Sequence, residues 1–445
     1  KGESPNSRAE IPPMPSFWLC KKGRRKRAPP HKVNPAGNRP PQVEFEIFEP
    51  RTDKEVFGGT VSRAKAICLC CGNVLAPERV RAQLAEQTGG ADVIFDAGCN
   101  RIRGARMTAV VTLIPGTQGR NYRLPTGRDY DAVWKAQKRF QTILEEWKRD
   151  GNIEIYPVPD EATPAGGGSG AGRAFSVQKY GMMKFSDLFT ARQKLALLSF
   201  SEKVLSNEQK TKGCSDLLGI AVGRVADATA SLTSWLPSGE EIKHVFARQT
   251  LPIVWDFGET NPLSMASRSW SSAIDAISTV IESASNAQLP LGQAQQADSC
   301  RSPLPDAVAA TMFTDPPYYD AIPYADLSDF FLVWLKRCLP DFTYLQDPFD
   351  RSNPLSPKTC EIVQDENKQY DEKPKDKLFF EEKIAEAFAE GRRILRDEGI
   401  GSVIFAHKTT EGWEALLSGL INGGWTITGS WPIATEAGNR LRARE

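Results

Sequence analysis

The chain has 445 residues, a formal net charge of +1, 40% hydrophobic residues and 25% charged residues, a composition ordinary for folded globular protein. No apolar segment approaches the roughly 20 residues that cross a bilayer, and no signal peptide is visible, which excludes a membrane-spanning class. Nine cysteines, an odd number, indicate a reducing compartment and not a disulfide framework. We therefore expect a cytoplasmic protein of two or three domains, and the sequence specifies no oligomeric state.

Residues 1–160 are predicted to form a β-rich module, with a strand over residues 105–114 and a helix over residues 130–146. Six of the seven residues from Lys21 to Arg27 are basic. Such a run could contact phosphates without regard to sequence, or form a solvated loop. Three cysteines cluster at Cys68, Cys70 and Cys71.

Residues 161–173 are rich in glycine and favour a flexible linker. A cofactor-binding loop is the alternative, but no clear strand precedes the run and no helix follows it. Residues 174–289 are predicted to be a mainly helical module, with a possible role in target recognition. Its helices are expected after the N-cap Thr190, over residues 214–232 and over residues 270–285. A polar and aromatic cluster over residues 248–262 could shape a base or cofactor pocket, or be an ordinary packed loop.

Residues 290–445 are predicted to alternate strands and helices. An apolar run at residues 311–314 favours a buried strand, and it ends abruptly at Asp315-Pro316-Pro317-Tyr318. We predict a helix from Phe379 to Leu395, a strand over residues 401–408, a helix over residues 412–421 and a strand over residues 425–433. This order favours an α/β fold, in which the loop after a parallel strand presents a site.

The Asp315 loop has the chemistry to hold an amino group. Two prolines make the loop stiff and remove backbone donors, which leaves carbonyl oxygens and the Asp315 carboxylate as acceptors. An amine conjugated to an aromatic ring is a poor nucleophile, and acceptors on its hydrogens favour the nitrogen as it attacks a methyl donor. Tyr318 would stack on a base that has left the helix.

Asp-Pro-Pro-Tyr resembles the catalytic motif of amino-methyltransferases that use S-adenosylmethionine (AdoMet). Its continuation through Tyr324-Ala325-Asp326-Leu327-Ser328-Asp329-Phe330-Phe331 is similar to adenine-specific DNA methylases that carry a zinc ribbon. The resemblance implies the second half of a Rossmann-like sheet, DNA as partner, AdoMet as cofactor and methyl transfer to N6 of a flipped adenine. It implies catalytic roles for Asp315, Pro316, Pro317 and Tyr318. Tyr319, Asp320, Tyr324 and Asp326 would line the loop, and Asp298 would lie near the cofactor.

The same resemblance implies a zinc ribbon, but here it is degenerate. Ser4-Pro5-Asn6-Ser7 stands where the family has Cys-Pro-x-Cys, while the second pair, Cys68 and Cys71, is present. Structural zinc needs four thiolate or imidazole ligands, and a serine hydroxyl does not replace a thiolate. Zinc binding therefore stays open. The alternative is a ribbon held by its strands and a small core.

The family's first strand and its Asp-Pro-Phe-x-Gly-x-Gly cofactor loop are missing from the sequence. We therefore expect a fragment in which the ribbon and the helical module are an insertion between the two halves of one sheet, and this fragment alone could be inactive. The motif accepts any conjugated amine, so methylation of cytosine N4 or of an RNA base is an alternative. A second alternative is a non-catalytic DNA-binding subunit related to methylases. The recognition sequence and the biological role cannot be read from the chain.

Overall fold

The computed structural model describes residues 2–433 except 24, 35–39, 88–89, 115, 118, 152–154, 169, 209–211 and 288. The described chain is mixed α/β and divides into two compact units. Unit 1 comprises Lys1–Ala165, Phe175–Leu289 and Asp329–Gln346, and unit 2 comprises Gly166–Ala174, Pro290–Ser328 and Asp347–Glu445. Within the described ranges, no helix has the length and apolar character to cross a membrane.

Unit 1 begins with a ribbon of short antiparallel strands. These are β1 (Gly2–Glu3), β2 (Glu10–Ile11), β3 (Cys20–Lys22), β4 (Arg25–Arg27), β5 (His31–Asn34), β6 (Gln42–Phe45), β7 (Val61–Ser62), β8 (Lys65–Ile67) and β9 (Val74–Leu75). They pair as β1–β2, β3–β4, β5–β6 and β7–β8–β9. Helix α1 (Pro77–Ala85) follows, with a proline in its first turn, where the missing N–H costs nothing. Two small cores support the ribbon, one around Leu75 and one around Phe17.

The rest of unit 1 combines hairpins with helices. The elements are β10 (Val93–Phe95), β11 (Arg101–Gly104), β12 (Val110–Thr112), β13 (Asn121–Arg123), α2 (Gly127–Arg149), α3 (Ala191–Glu208), α4 (Lys212–Ala226), β14 (Ser234–Leu236), β15 (Glu241–Lys243) and α5 (Trp270–Asn286). The three strand pairs, β10–β11, β12–β13 and β14–β15, are antiparallel. Thr126 and Asp129 form a capping box that fixes the start of α2.

The helices predicted for unit 1 are confirmed, with shifted ends. Helix α3 begins directly after Thr190, and α5 covers the predicted third helix. Helix α4 ends at Ala226, earlier than expected, since the chain then turns and the Ser231 hydroxyl donates to the Leu188 carbonyl at 2.8 Å. The strand predicted over residues 105–114 shortens to β12.

Unit 2 is built around a parallel strand pair. Its elements are β16 (Ala309–Thr314), α6 (Tyr324–Cys338), β17 (Asp365–Tyr370), β18 (Lys373–Lys375), α7 (Lys377–Ile394), β19 (Leu395–Val403) and α8 (Thr410–Asn422), and the boundary with unit 1 falls inside α6. Strands β16 and β19 are parallel, with Thr314 opposite Val403. Helices α7 and α8 share a core that includes Phe380, Phe388 and Leu416. The predicted α/β class is confirmed, and the described part of this sheet has two strands.

Three expectations for unit 2 are wrong. The strand predicted over residues 401–408 lies earlier, at Leu395–Val403, because Leu395 and residues 400–403 pair with β16. Residues 425–433 form no strand. Trp425 instead packs against the α7–α8 core, and its indole N–H donates to the Phe388 carbonyl at 2.8 Å. Strand β16 is not fully buried, since Phe313 is 69% exposed, as is Ile400 on β19 at 70%.

Candidate functional site

The Asp315 loop leaves the sheet where the sequence places it, at the carboxyl end of β16. The Ile404 N–H donates to the Thr314 carbonyl at 2.9 Å, which continues the parallel pairing up to the loop. Asp315 is exposed, whereas Pro316 directly after it is buried. A fixed proline beside a solvent-facing carboxylate gives a rigid acceptor at the sheet edge.

The two tyrosines of the loop have different surroundings. Tyr318 is half-buried and makes an edge-to-face contact with Phe405, with ring centroids 5.4 Å apart. Tyr319 is buried, packs edge-to-face on Phe380, and its hydroxyl lies 3.3 Å from a Glu411 carboxylate oxygen. Burial, together with the nearby Glu411 charge, raises the pKa of Tyr319 far above its usual range. Tyr319 anchors the loop and is not available to a base.

Tyr319 also has a strained backbone. Its φ of 52° lies in the left-handed region, which costs a bulky residue about 1 kcal/mol or more. The Gln364 N–H donates to the Tyr319 carbonyl at 3.1 Å, and the Tyr319 N–H donates to the Pro317 carbonyl at 3.0 Å. These bonds hold the sharp turn that separates Asp315 from Asp320.

Asp320 is the centre of a charged network. The Arg173 guanidinium donates to one carboxylate oxygen at 2.8 Å, and His407 Nε2 lies 3.1 Å from the other. The Thr409 N–H donates to His407 Nδ1 at 3.2 Å, so neutral His407 carries its proton on Nε2 and donates to Asp320. Burial raises the pKa of Asp320, but the hydrogen bonds from Arg173 and His407 outweigh this and lower it.

Asp326 and Tyr324 stand in the first turn of α6. Asp326 is buried and forms an ion pair with Lys368, which also lies 3.6 Å from Asp365. Burial lowers the pKa of Lys368, yet Asp326 and the other carboxylates more than offset this and raise it. Tyr324 is 40% exposed. Of the two predicted loop-lining residues on α6, the structure pairs the buried Asp326 with Lys368 and leaves Tyr324 partly exposed.

The Tyr319–Asp320 turn borders an open depression of about 560 Å³ within unit 2. Its other lining residues carry more negative than positive charge. They are the acids Glu366, Asp376, Glu381 and Glu411, the bases Arg173 and Lys377, and the uncharged Gly170, Gln364 and Leu378. Asp298, expected near a cofactor, is not among these residues. It accepts from the Cys300 N–H at 2.9 Å and caps its own turn.

The glycine-rich run forms hydrogen bonds with residues of this part of unit 2. Its composition alone did not predict these contacts. The Ala171 N–H donates to the Gln364 carbonyl at 3.2 Å, and the Asn367 amide donates to the Gly167 carbonyl at 2.9 Å. Gly170 has a φ of 82°, and a Cβ there would lie 2.7 Å from the Gln364 carbonyl oxygen. Glycine is therefore required at this position. The run also brings Arg173 to Asp320, a partner 147 residues away.

In the ribbon of unit 1, the four knuckle positions come together. The Ser4 hydroxyl is 3.3 Å from the Cys71 sulfur, and the Ser7 hydroxyl is 3.4 Å from the Cys68 sulfur. The hydrogen bond with Ser4, followed by those with the Asn73 backbone and Ser7, lowers the pKa of the exposed Cys71 thiol to about 7. Burial raises the pKa of neighbouring Cys70 to about 11.

Two thiols opposite two hydroxyls do not fit structural zinc. Over the described ranges, no group of three or more His, Cys, Asp or Glu side chains is arranged to hold a metal ion. Four basic residues of the run in the same ribbon are in ion pairs: Lys21 and Lys26 contact Asp53, Arg25 lies 3.6 Å from Glu240, and Arg27 contacts Glu49.

No model of a known protein family, no curated protein and no solved structure matches the chain. Functional reasoning therefore depends on the residues and their geometry.

Proposed function

We propose that the chain is the catalytic half of an AdoMet-dependent methyltransferase that modifies N6 of a flipped adenine in DNA. The observation that carries this proposal is the exposed Asp315 carboxylate at the end of a parallel strand, followed by buried Pro316. In open α/β sheets, sites form at this end of the strands. We further propose that β16 and β19 belong to a Rossmann-like sheet.

In this proposal, the acceptor amine donates its two hydrogens to the Asp315 carboxylate and the Pro316 carbonyl. Their negative and partial negative charges stabilise the nitrogen as it gains positive charge on methylation. The half-buried Tyr318 stacks on the base, and the contact with Phe405 fixes its ring. Catalysis comes from orientation and electrostatics, with no covalent enzyme intermediate.

The remaining polar residues of the loop are assigned positioning roles. Arg173 and His407 hold Asp320, and Glu411 lies beside the Tyr319 hydroxyl, so the loop is fixed directly after Tyr318. AdoMet would supply the methyl group and leave as S-adenosylhomocysteine, and the methylated nitrogen would lose one proton to the Asp315 carboxylate or to water. The glycine-rich run leads into a short 3₁₀ turn, Ala171–Ala174, and not into an α-helix, so it does not fit the usual cofactor loop. The proposal therefore derives no step from the cofactor's own contacts.

Product analysis tests the proposal. The full-length protein is incubated with methyl-labelled AdoMet and unmethylated DNA, and the digested nucleosides are separated. Label in N6-methyldeoxyadenosine supports the proposal. Label in N4-methyldeoxycytidine, or in RNA offered in parallel, moves it to the alternative acceptors, because the loop accepts any conjugated amine.

The incomplete knuckle of the ribbon favours a second candidate, a non-catalytic DNA-binding subunit. Loss of metal ligands from a module that keeps its geometry is the behaviour expected of a chain that retains binding and loses chemistry. Absence of AdoMet binding together with retained DNA binding is the result that selects this candidate.

A further inference from the structure

Unit 1 contains a cleft that the proposed methyl transfer does not use. It encloses about 750 Å³, which is within the range of small-molecule sites. Most of its lining comes from three segments within residues 12–19, 104–113 and 253–261. The ribbon, the β11–β12 region and the loop before α5 thus meet around one mainly apolar space.

Aromatic rings are the main recognition surface of the cleft. Trp18, Trp235, Trp255 and Phe257 all line it. The Trp235 indole N–H donates to the Leu19 carbonyl at 2.6 Å, and Tyr180 packs edge-to-face on Trp255 with centroids 5.4 Å apart. These contacts hold two of the rings in place before any ligand arrives. Fixed aromatic faces favour a flat, aromatic ligand.

Two acidic residues of the lining differ in their partners. Glu259 accepts from the Arg192 guanidinium at 2.8 Å and is thereby neutralised. For Asp256, no described side chain forms a hydrogen bond or an ion pair with its carboxyl group. Burial raises the pKa of Asp256 to about 6, with partial compensation from its own backbone N–H. A sheltered acceptor beside aromatic rings suits a ligand that donates N–H bonds.

Positive charge lies next to one of the rings. The Lys21 ammonium is 5.0 Å from the centroid of Trp18, in an ion pair with Asp53 whose two side chains are about half exposed. Exposed ion pairs of this kind contribute little, so a phosphate can replace Asp53 at low cost. The cleft thus combines ring faces, one free acceptor and a nearby cation.

We propose that this cleft binds an unstacked nucleobase of a single-stranded nucleic acid, which stacks on Trp18 and donates an amino hydrogen to the Asp256 carboxylate. Base stacking on aromatic side chains, with basic residues along the backbone, is the general mode of single-strand binding. This inference goes beyond the proposed methyl transfer, because none of its residues belongs to the Asp315 loop. It therefore assigns nucleic-acid binding to unit 1 whatever unit 2 catalyses.

The test uses the 445-residue chain and a single-stranded DNA that carries one 2-aminopurine and a terminal fluorescein. Fluorescein anisotropy measures binding, and quenching of 2-aminopurine emission reports stacking of that base. We expect both signals with the unaltered chain at fixed, low salt. Asp256→Asn should weaken binding about tenfold, the loss expected for one base-reading contact. Trp18→Leu should remove most of the quenching.

Asp275→Asn is the matched control, since Asp275 is an exposed acid on α5 outside the cleft, and it should bind as the unaltered chain does. Thermal unfolding establishes that each variant is folded, and Trp18→Phe replaces Trp18→Leu if the latter unfolds. Absence of an anisotropy change, binding without quenching, or equal affinity of Asp256→Asn and the unaltered chain would each overturn the proposal.

Discussion

The ribbon of unit 1 and the Asp315 loop of unit 2 differ in which features of a functional site they possess. In the ribbon, two serines and two cysteines face each other at hydroxyl–sulfur distances of 3.3 and 3.4 Å, and only Cys68 and Cys71 supply thiols. In the loop, the polar residues that the motif implies are all present. Asp320 and Asp326 form ion pairs, however, and Asp315 stays exposed. The ribbon thus keeps the arrangement of its four positions but lacks two of the thiols. In the loop, most of the polar side chains serve to hold the backbone in place.

The largest effect should come from Asp315→Ala in the full-length protein. If Asp315 accepts from the amine, methyl transfer should fall by about a thousandfold, as for loss of a group that stabilises a transition state. DNA affinity should change little, because phosphate contacts dominate it. Asp397→Ala is the control, since the Asp397 side chain is 99% exposed. Undiminished transfer in Asp315→Ala would show that another group holds the amine.

Lys368→Met should show that Asp326 supports the fold of unit 2. The substitution leaves the Asp326 carboxylate buried without its main partner, which should cost about 2 to 4 kcal/mol of unfolding free energy. Urea unfolding measures this change. Lys377→Met is the control, because the Lys377 side chain is 43% exposed in long ion pairs and should contribute less than about 1 kcal/mol. Equal losses in the two variants would remove the distinction between the buried and exposed pairs.

The double substitution Ser4→Cys, Ser7→Cys should turn the ribbon into a zinc site. Four thiols would then face each other, and one zinc ion should bind per chain. At zinc 100-fold above its Kd, the folded state should gain about 2.7 kcal/mol, seen as a raised Tm. The same double variant carrying Cys71→Ser tests the geometry, since it removes one ligand of the four. If both variants take up zinc equally, the metal binds elsewhere.

The smallest effect concerns the reactivity of Cys71. Because its pKa is lowered to about 7, its alkylation by iodoacetamide should rise with pH around neutrality, and the exposed Cys214 serves as an internal reference for labelling. Ser4→Ala removes the hydrogen bond to the thiolate, so the midpoint should move to higher pH. Mass spectrometry of labelled peptides measures both cysteines in one sample. A midpoint that does not move would assign the lowered pKa to the backbone of Asn73 instead.

Local patterns in the sequence predicted what local interactions decide. Helices α2, α3, α5, α7 and α8 were found because their apolar periodicity and caps, such as Thr190 before α3, act within a few residues. The resemblance to methylases with a zinc ribbon also implied that the two knuckles meet. Residues 425–433 were misread, because the contact of Trp425 with Phe388 outweighs the tendency of an apolar run to form a strand.

The side chains that pair with residues of the Asp315 loop could not be predicted from local patterns. Arg173 reaches Asp320 across 147 residues, and Lys368 reaches Asp326 across 42. Neither pair has a periodic or motif signal, because chain topology and not local preference brings them together. His407 lies 87 residues from Asp320 in the chain, and the structure brings the two side chains into hydrogen-bond contact. Sequence motifs located the loop. Only the structure showed that Tyr319 and Asp320 anchor it, whereas Asp315 is exposed.

The paired serines and cysteines of the ribbon have an evolutionary consequence. A hydroxyl that bonds to the opposite sulfur can occupy the place of a metal ligand without leaving a hole or a polar group unsatisfied. A serine at either position therefore costs the ribbon a metal ligand but leaves the two knuckles bonded to each other, so that selection on the fold and selection on metal binding can act on these positions separately.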